Sequence, residues 1–264
     1  MAKLTQDHQL QRVLDARHHD PFAYLGLHDA PKGSASKQVF RTFLPYAERV
    51  WLKTAAGWDP LTRVHANGMF EWHGEGLVRP CLLRIEANGS SREQHDPYSF
   101  PSSLTSDELY LFGQGRLLRA HQTMGAHLAT QHGIEGVRFA VWAPNAERVS
   151  VIGNFNQWDG RVHPMRVHGS SGIWDIFIRG LGVGELYKFE IRNRNTGHIH
   201  VKTDPYGFSF EQRPGTAAKV TALTHHQWQD QEWMQQRGSV DWLHAPFNFY
   251  EAHLGSWKRN AQGY

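Results

Sequence analysis

The sequence predicts a mainly β protein that contains two copies of one antiparallel β-sandwich, with short helices before and between them. Short runs of residues alternate between apolar and polar side chains, which is the period of a half-buried strand. In one run Phe139 and Val141 share a face, and in the next run Val149 and Val151 share a face. Gly, Pro and Asn separate the runs, as turns separate the strands of a sandwich.

The two copies are indicated by four short motifs that occur twice in the same order. The offset between the copies is about 100 residues, with small insertions. The matching segments are 43–50 with 142–149, 57–59 with 157–159, 68–70 with 172–174, and 96–100 with 204–208. Repetition of this length favours a tandem of two domains over a solenoid of short repeats.

Two capping signals predict helices. Thr5 can cap a helix over residues 5–17, and Thr105 and Glu108 have the spacing of a capping box. The β pattern occupies most of the remaining sequence. The predicted division is a first β-sandwich module at 1–103, a helical connector at 104–130, a second β-sandwich module at 131–224 and a final segment at 225–264.

The final segment differs from both copies. Residues 225–246 are polar with three embedded tryptophans, and residues 247–257 predict a buried strand that leads into a loop. A strand that begins a new unit is followed by only seven residues. We therefore expect the chain to be truncated.

Composition excludes several classes of protein. The net charge is only +3, with no block of Lys and Arg, so nucleic acid and anionic membranes are not expected partners. Cys81 is the single cysteine, which rules out an internal disulfide and fits a reducing compartment. No window approaches the roughly 20 apolar residues of a membrane span, and the N-terminus lacks a signal peptide. We expect a cytoplasmic monomer.

No catalytic constellation is predicted. The glycines at 182 and 184 lack the lysine and hydroxyl residue of a P-loop, and no Gly-x-Ser-x-Gly elbow occurs. The acidic residues in turn and capping positions form no convincing pair for glycoside chemistry. Most of the 18 histidines are scattered singly, and the adjacent pairs diverge. The prediction is therefore no catalytic residue, no metal and no cofactor.

Three residues are candidates for binding a sugar. Trp158 stands in a polar loop, where its ring can stack on a pyranose or pack on a neighbouring domain. Lys188 lies on the outer face of a predicted strand, where it can donate to hydroxyls or be a solvated charge. Trp174 shares a face with Ile176 and Ile178, so core packing is the stronger alternative for it.

These segments carry a resemblance to a known family. The run at 139–165, with GIWDIFI (172–178), LYKFEI (186–191) and KTDPYGF (202–208), resembles the carbohydrate-binding module that precedes the barrel of glycogen branching enzymes. DPFAYLGLH (20–28) resembles the start of the extra N-terminal module of many bacterial members. YEAHLGSWKR (250–259) resembles the segment that opens their catalytic (β/α)8 barrel, so the resemblance covers essentially the whole chain.

The resemblance implies tandem immunoglobulin-like β-sandwiches followed by the truncated start of a (β/α)8 barrel. Members transfer an α-1,4-glucan chain to a sugar 6-hydroxyl, forming an α-1,6 branch, without metal or organic cofactor. Their catalytic motifs do not occur in these 264 residues, so only Trp158, Lys188 and Trp174 transfer, as glucan-binding positions. In the first copy Leu82 occupies the place of Lys188. A stand-alone glucan-binding module and a non-binding structural scaffold remain the alternatives.

Overall fold

The computed structural model describes residues 6–223 and 227–258. The chain is mainly β and its sheets are antiparallel, as the alternating pattern predicts. It divides into two compact units, Met1–Ala222 and Leu223–Tyr264. Both predicted sandwiches lie in the first unit.

The first sandwich is formed by two antiparallel sheets. Its strands are β1 (Gly26–Asp29), β2 (Gln38–Phe43), β3 (Arg49–Thr54), β4 (Gly57–Pro60), β5 (Thr62–His65), β6 (Met69–Gly74), β7 (Leu82–Ala87) and β8 (Ser90–His95). One sheet has the order β1-β2-β6-β5, and the facing sheet has the order β4-β3-β7-β8. Phe40 and Phe70 from one sheet pack against Leu52 and Leu83 from the other, and all four side chains are buried.

The second sandwich has the same construction. Its strands are β9 (Gly125–Gln131), β10 (Ile134–Trp142), β11 (Ala146–Gly153), β12 (Arg166–Val167), β13 (Ile173–Arg179), β14 (Leu186–Asn193), β15 (Ile199–Lys202), β16 (Ser209–Phe210) and β17 (Ala218–Lys219). The sheets have the orders β12-β13-β10-β9 and β11-β14-β17-β16, with β15 also paired to β14. Phe139, Val149, Val151 and Phe189 fill the core between them. Burial of such side chains contributes about 1.5–3 kcal/mol each.

The helices are short: α1 (Gln6–Leu14), α2 (Ser106–Gly113), α3 (Ala120–Thr123), α4 (Gln231–Gln236) and α5 (Leu254–Trp257). The capping box is confirmed, because Thr105 Oγ1 accepts from the Glu108 backbone and Glu108 Oε2 accepts from the Thr105 backbone. The predicted cap at Thr5 lies outside the described residues. Helix α1 is shorter than the predicted 5–17.

The predicted helical connector at 104–130 is wrong in its last part. Residues Gly125–Gln131 form β9, which pairs with β10 in a register that places Ala126 opposite Phe139. Pairing satisfies the backbone groups of this segment and adds an edge strand to the second sandwich. The alternation that marks β9 is weak, since its buried residues are confined to its start.

Two contacts join the N-terminal half to the second sandwich. Glu147 on β11 forms ion pairs with Arg17 at 3.0 Å and Arg192 at 2.8 Å, so one buried carboxylate links the segment after α1 to β14. The Tyr46 hydroxyl donates a hydrogen bond to Asp159, which also pairs with Arg161 at 2.7 Å. The Tyr46–Asp159 contact holds the loop after β11 against the first sandwich.

The unit Leu223–Tyr264 does not contain the predicted buried strand. Residues 247–253 carry no strand, α5 follows, and Phe249 is 93% exposed. The prediction of a strand at 247–257 is therefore wrong for the described residues, and the start of a barrel is not observed there. A strand needs a neighbour for its N–H and C=O groups, and no described strand pairs with this segment. Across the described chain, no helix is long and apolar enough to cross a membrane.

Candidate functional site

The loop that carries Trp158 begins where β11 ends. The Trp158 backbone N–H donates to the carbonyl of Gly153 at 2.9 Å, which closes a tight turn. Gln157 and Trp158 both have left-handed backbones, with φ of 57° and 60°. Position 153 requires glycine, because a Cβ there would lie 2.3 Å from the carbonyl oxygen of Leu186. A left-handed conformation costs a bulky residue about 1–3 kcal/mol, so surrounding contacts must hold it.

Two asparagines supply those contacts. Asn156 is buried, accepts from the Gly153 N–H at 2.9 Å and donates to the Val151 carbonyl at 2.9 Å. Asn154 Oδ1 accepts from the Trp158 indole Nε1 at 2.9 Å. The Trp158 side chain remains 37% exposed. The turn therefore presents an indole ring to solvent in a fixed orientation.

Lys188 lies on β14 with its side chain away from the core, as predicted. Its neighbours Tyr187 and Phe189 point into the core, and its cross-strand partner on β11 is Ile152. The residue as a whole is half-buried, and its ammonium donates to Thr216 Oγ1 at 2.5 Å in an exposed hydrogen bond. An ammonium carries three donor hydrogens, so this bond leaves two for other acceptors.

The fold brings Trp158 and Lys188 to the same end of the β11–β14 pair. Gly153 connects them, because it accepts from the Trp158 backbone and lies opposite Tyr187, the residue before Lys188. An exposed ring beside a cation is an arrangement that can hold a polyhydroxyl ligand. That both residues contact a sugar stays a prediction.

Trp174 is not part of this surface. Its side chain is 1% exposed, lies in the core of the second sandwich and donates through Nε1 to the Ala143 carbonyl at 3.1 Å. The ring of His19 meets it edge-on at 5.1 Å. A buried ring has no face to offer a ligand, so the candidate role of Trp174 in binding is wrong and its role is packing.

The first sandwich arranges its equivalent residues differently. The Trp58 ring carries two cations, with Arg84 at 4.2 Å and Lys53 at 5.3 Å from the ring centroid. Cation–π contacts of this kind occupy the surface on which a sugar would stack. The Leu82 side chain at the place of Lys188 cannot donate a hydrogen bond. The two copies share a fold without sharing the candidate site.

Sequence reasoning missed two polar residues of the site, Asn154 and Thr216. Asn154 carried a usable signal, since a short polar side chain four residues before a tryptophan in a turn can reach the indole N–H. Thr216 gave none, because it lies 28 positions from Lys188 and only the packing of the 211–217 loop brings it there. Contacts of this kind depend on tertiary packing and can be found only in the three-dimensional structure.

A Ser, His and Asp cluster outside this surface was also missed. Ser102 Oγ donates to Asp175 at 2.7 Å and lies 3.3 Å from His168 Nε2, and that same nitrogen lies 2.8 Å from Asp175. A catalytic triad needs the acid on Nδ1 and the hydroxyl on Nε2. Here one nitrogen faces both partners, so the cluster fastens the chain after the first sandwich to β13 and does not activate a nucleophile.

Burial also shifts the pKa of two groups outside this surface, Cys81 and Asp96. Burial raises the pKa of the Cys81 thiol to about 12, which makes this cysteine unreactive. Burial likewise raises the pKa of Asp96 to about 7, and its carboxyl accepts from Ser99 Oγ at 3.0 Å. Within residues 6–223 and 227–258, no group of three His, Cys, Asp or Glu side chains is placed to hold a metal ion.

Two parts of the chain match known families. Residues 6–98 match the family described as "alpha-1,4-glucan branching enzyme GlgB, N-terminal domain". Residues 123–207 match "Carbohydrate-binding module 48 (Isoamylase N-terminal domain)", and this range contains both Trp158 and Lys188.

Several curated proteins named "1,4-alpha-glucan branching enzyme GlgB" are similar to the chain. The protein from Methylobacillus flagellatus is 62% identical over 100% of this chain and 36% of its own length. That from Nitrosomonas europaea is 51% identical over 98% of this chain and 35% of its own length. The chain thus spans about a third of the length of these relatives. It corresponds to the N-terminal portion of GlgB, with the GlgB N-terminal domain followed by a carbohydrate-binding module 48.

Proposed function

We propose that the second sandwich binds an α-glucan chain through Trp158 and Lys188, and that it does so as a module of a glycogen branching enzyme. Such an enzyme transfers α-1,4-glucan chains to form α-1,6 branches in glycogen. The proposal is supported by the names of the relatives. The single observation that carries it is the fixed, exposed indole of Trp158 at the same strand end as the Lys188 ammonium.

The chemistry of the two groups suits a glucan. The flat apolar face of an indole matches the apolar face of a pyranose ring, and stacking there excludes water from both. The Trp158 N–H is already bonded to Asn154, so the ring contributes its face and not its donor. The two remaining donor hydrogens of Lys188 can then reach sugar hydroxyls, in charge-assisted hydrogen bonds.

The proposed role of these 264 residues is to bind and position a glucan, with no step of the transfer reaction. None of the described polar clusters forms a nucleophile with its base: Glu147 and Asp159 pair with arginines, and Asp175 is bonded to Ser102 and His168. A cytoplasmic location, a monomeric state and the domain boundaries at 103 and 224 belong to the same proposal. The single buried cysteine is compatible with a reducing compartment.

Affinity electrophoresis in glycogen-containing native gels tests the proposal. We expect glycogen to retard the chain, Trp158→Ala to abolish the retardation, and Trp58→Ala to preserve it. Trp58 is the matched control because it occupies the equivalent place in the first sandwich beneath two cations. A chain that migrates alike with and without glycogen would instead be a structural scaffold. Branching activity of the 264-residue chain, followed by iodine–amylose absorbance, would contradict a role confined to binding.

A further inference from the structure

A cleft of about 240 Å³ lies between the two sandwiches. The first sandwich contributes the turn after β7 and the edge strand β8, including Arg92 and Gln94. The second contributes the turn after β11, including Asn154 and Gln157. Clefts between domains are common places for small-molecule sites, and this one has room for part of such a ligand.

The cleft combines unused hydrogen-bonding groups with apolar surface. Within residues 6–223 and 227–258, the side chains of Arg92, Gln94 and Gln157 have no hydrogen bond or ion pair to protein. Between them lie apolar groups, including Ile85 and Phe155. Carboxamides and a guanidinium beside aromatic and aliphatic carbon suit a ligand that has many hydroxyls and also apolar faces.

The charge of the cleft favours a neutral ligand. Arg92 is the only lysine or arginine that lines it, and none of its described lining residues is acidic. The one histidine in the lining, His163, is kept neutral because burial lowers its pKa to about 3. A site for a phosphate or carboxylate commonly brings several donors and cations together, and this cleft offers one exposed guanidinium.

Asn154 joins the cleft to the candidate sugar surface. Its Oδ1 holds the Trp158 indole at 2.9 Å, and the same residue lines the cleft. A ligand that stacks on Trp158 therefore adjoins a groove whose opposite wall is β8 of the first sandwich. The first sandwich therefore lines one side of this groove, although its own Trp58 ring is covered by two cations.

We propose that the cleft is a second oligosaccharide subsite, which receives further glucose units of a chain held at Trp158. This inference rests on the proposed function. It predicts that affinity rises with chain length, and that the rise depends on Arg92 and Gln94 from the first sandwich. The assignment to a neutral oligosaccharide follows from the carboxamides, the apolar floor and the single cation described above.

Titration calorimetry of the whole chain with maltotriose and with maltoheptaose tests the subsite. The variant is the double substitution Arg92→Ala and Gln94→Ala, and the matched control is Arg116→Ala with Gln114→Ala, two exposed residues at the end of α2. We expect the cleft variant to lose about tenfold in affinity for maltoheptaose, the effect of about 1.4 kcal/mol of hydrogen bonding. Its affinity for maltotriose should stay within twofold of the parent chain.

The outcomes separate the two proposals. If the cleft variant binds maltoheptaose as tightly as the control while Trp158→Ala loses both sugars, the subsite is overturned and the proposed function stands. If Trp158→Ala changes nothing while the cleft variant weakens maltoheptaose, the proposed function fails and the cleft binds sugar by itself. If the parent chain binds neither sugar, both are overturned. Thermal unfolding curves that coincide for the cleft variant and the control variant show that both chains are folded alike.

Discussion

The indole Nε1 of Trp158 donates a hydrogen bond to Asn154 Oδ1 at 2.9 Å, within a turn where Trp158 itself holds a left-handed backbone with φ of 60°. The side chain that accepts this bond comes from the first residue of the same turn. Backbone and ring are thus fixed by one short segment. Because the ring is already fixed before the ligand binds, less conformational entropy is lost on binding.

This relationship predicts that Asn154 positions the Trp158 ring. Asn154→Leu removes the acceptor and should weaken glycogen binding about fivefold, the loss of roughly one hydrogen bond's net contribution. Asn154→Asp keeps an acceptor and should restore most of the affinity. The measurement is retardation in glycogen gels, together with the polarisation of Trp158 fluorescence in a chain that contains Trp158 as its single tryptophan. Equal affinity of Asn154→Leu and the exposed-turn control Asn195→Leu would contradict the positioning role.

The Lys188 ammonium gives a second prediction. Lys188→Met keeps most of the aliphatic stem and removes the charge, so the strand should remain folded while glucan affinity falls about tenfold, as expected for lost charge-assisted hydrogen bonds. Lys32→Met, an exposed lysine of the first sandwich, is the control and should bind like the parent chain. Calorimetry with maltoheptaose provides the measurement. Unchanged glucan affinity of the Lys188→Met chain would contradict a role of Lys188 in binding and would show that it is only a surface charge.

Much of this fold can be predicted from sequence, for a physical reason. Buried β-strands impose a two-residue period, and the period is visible wherever one face is buried, as at Val149 and Val151. Strand β9 escaped prediction because only its first residues are buried, so edge pairing and not burial stabilises it. The prediction of a strand at 247–257 was wrong for the opposite reason. Its apolar residues predict burial, and in the described chain Phe249 is exposed and unpaired with any strand.

The candidate site was predictable only where a single residue carries its own signal. An aromatic residue in a polar loop points to Trp158, and strand alternation places Lys188 outside the core. The same alternation already placed Trp174 with Ile176 and Ile178, and the structure buries all three. The contact of Lys188 with Thr216 and the cleft against β8 depend on packing between segments far apart in sequence. No local pattern encodes those.

The buried position of Trp174 predicts a stability effect without a direct binding effect. Trp174→Ala removes a ring from a closed core and should lower the free energy of unfolding by about 3–5 kcal/mol. Trp174→Phe keeps most of the volume and loses the bond to the Ala143 carbonyl, so it should cost less. Urea unfolding measures both. At temperatures where Trp174→Phe is folded, its affinity for glycogen should equal that of the parent chain, and a specific loss of binding would return Trp174 to the site.

His163 predicts a dependence of stability on pH. It is buried, and its Nδ1 accepts from Asn156 Nδ2 at 2.9 Å, which requires a neutral ring. Burial first, with Arg92 as a lesser cause, lowers its pKa from 6.5 to about 3. Below pH 6.5 the imidazole of His163 therefore takes up a proton in the unfolded chain, whereas in the folded chain it stays neutral until the pH approaches 3. Stability from this group is complete above pH 6.5 and is lost as the pH falls toward 3, by about 2 kcal/mol at pH 5.

His163→Gln separates this contribution from those of other groups. Glutamine can accept from Asn156 and does not titrate, so the variant should lose about 2 kcal/mol less than the parent chain between pH 7 and pH 5. Other buried histidines, such as His18, whose pKa burial lowers to about 4, act equally in both chains and cancel in the difference. The exposed His198 gives the matched control, and His198→Gln should follow the parent curve. Urea unfolding at closely spaced pH values provides the data. Parallel curves for His163→Gln and the parent would mean that His163 takes up its proton in the folded chain, and that the turn around Asn156 opens to admit it.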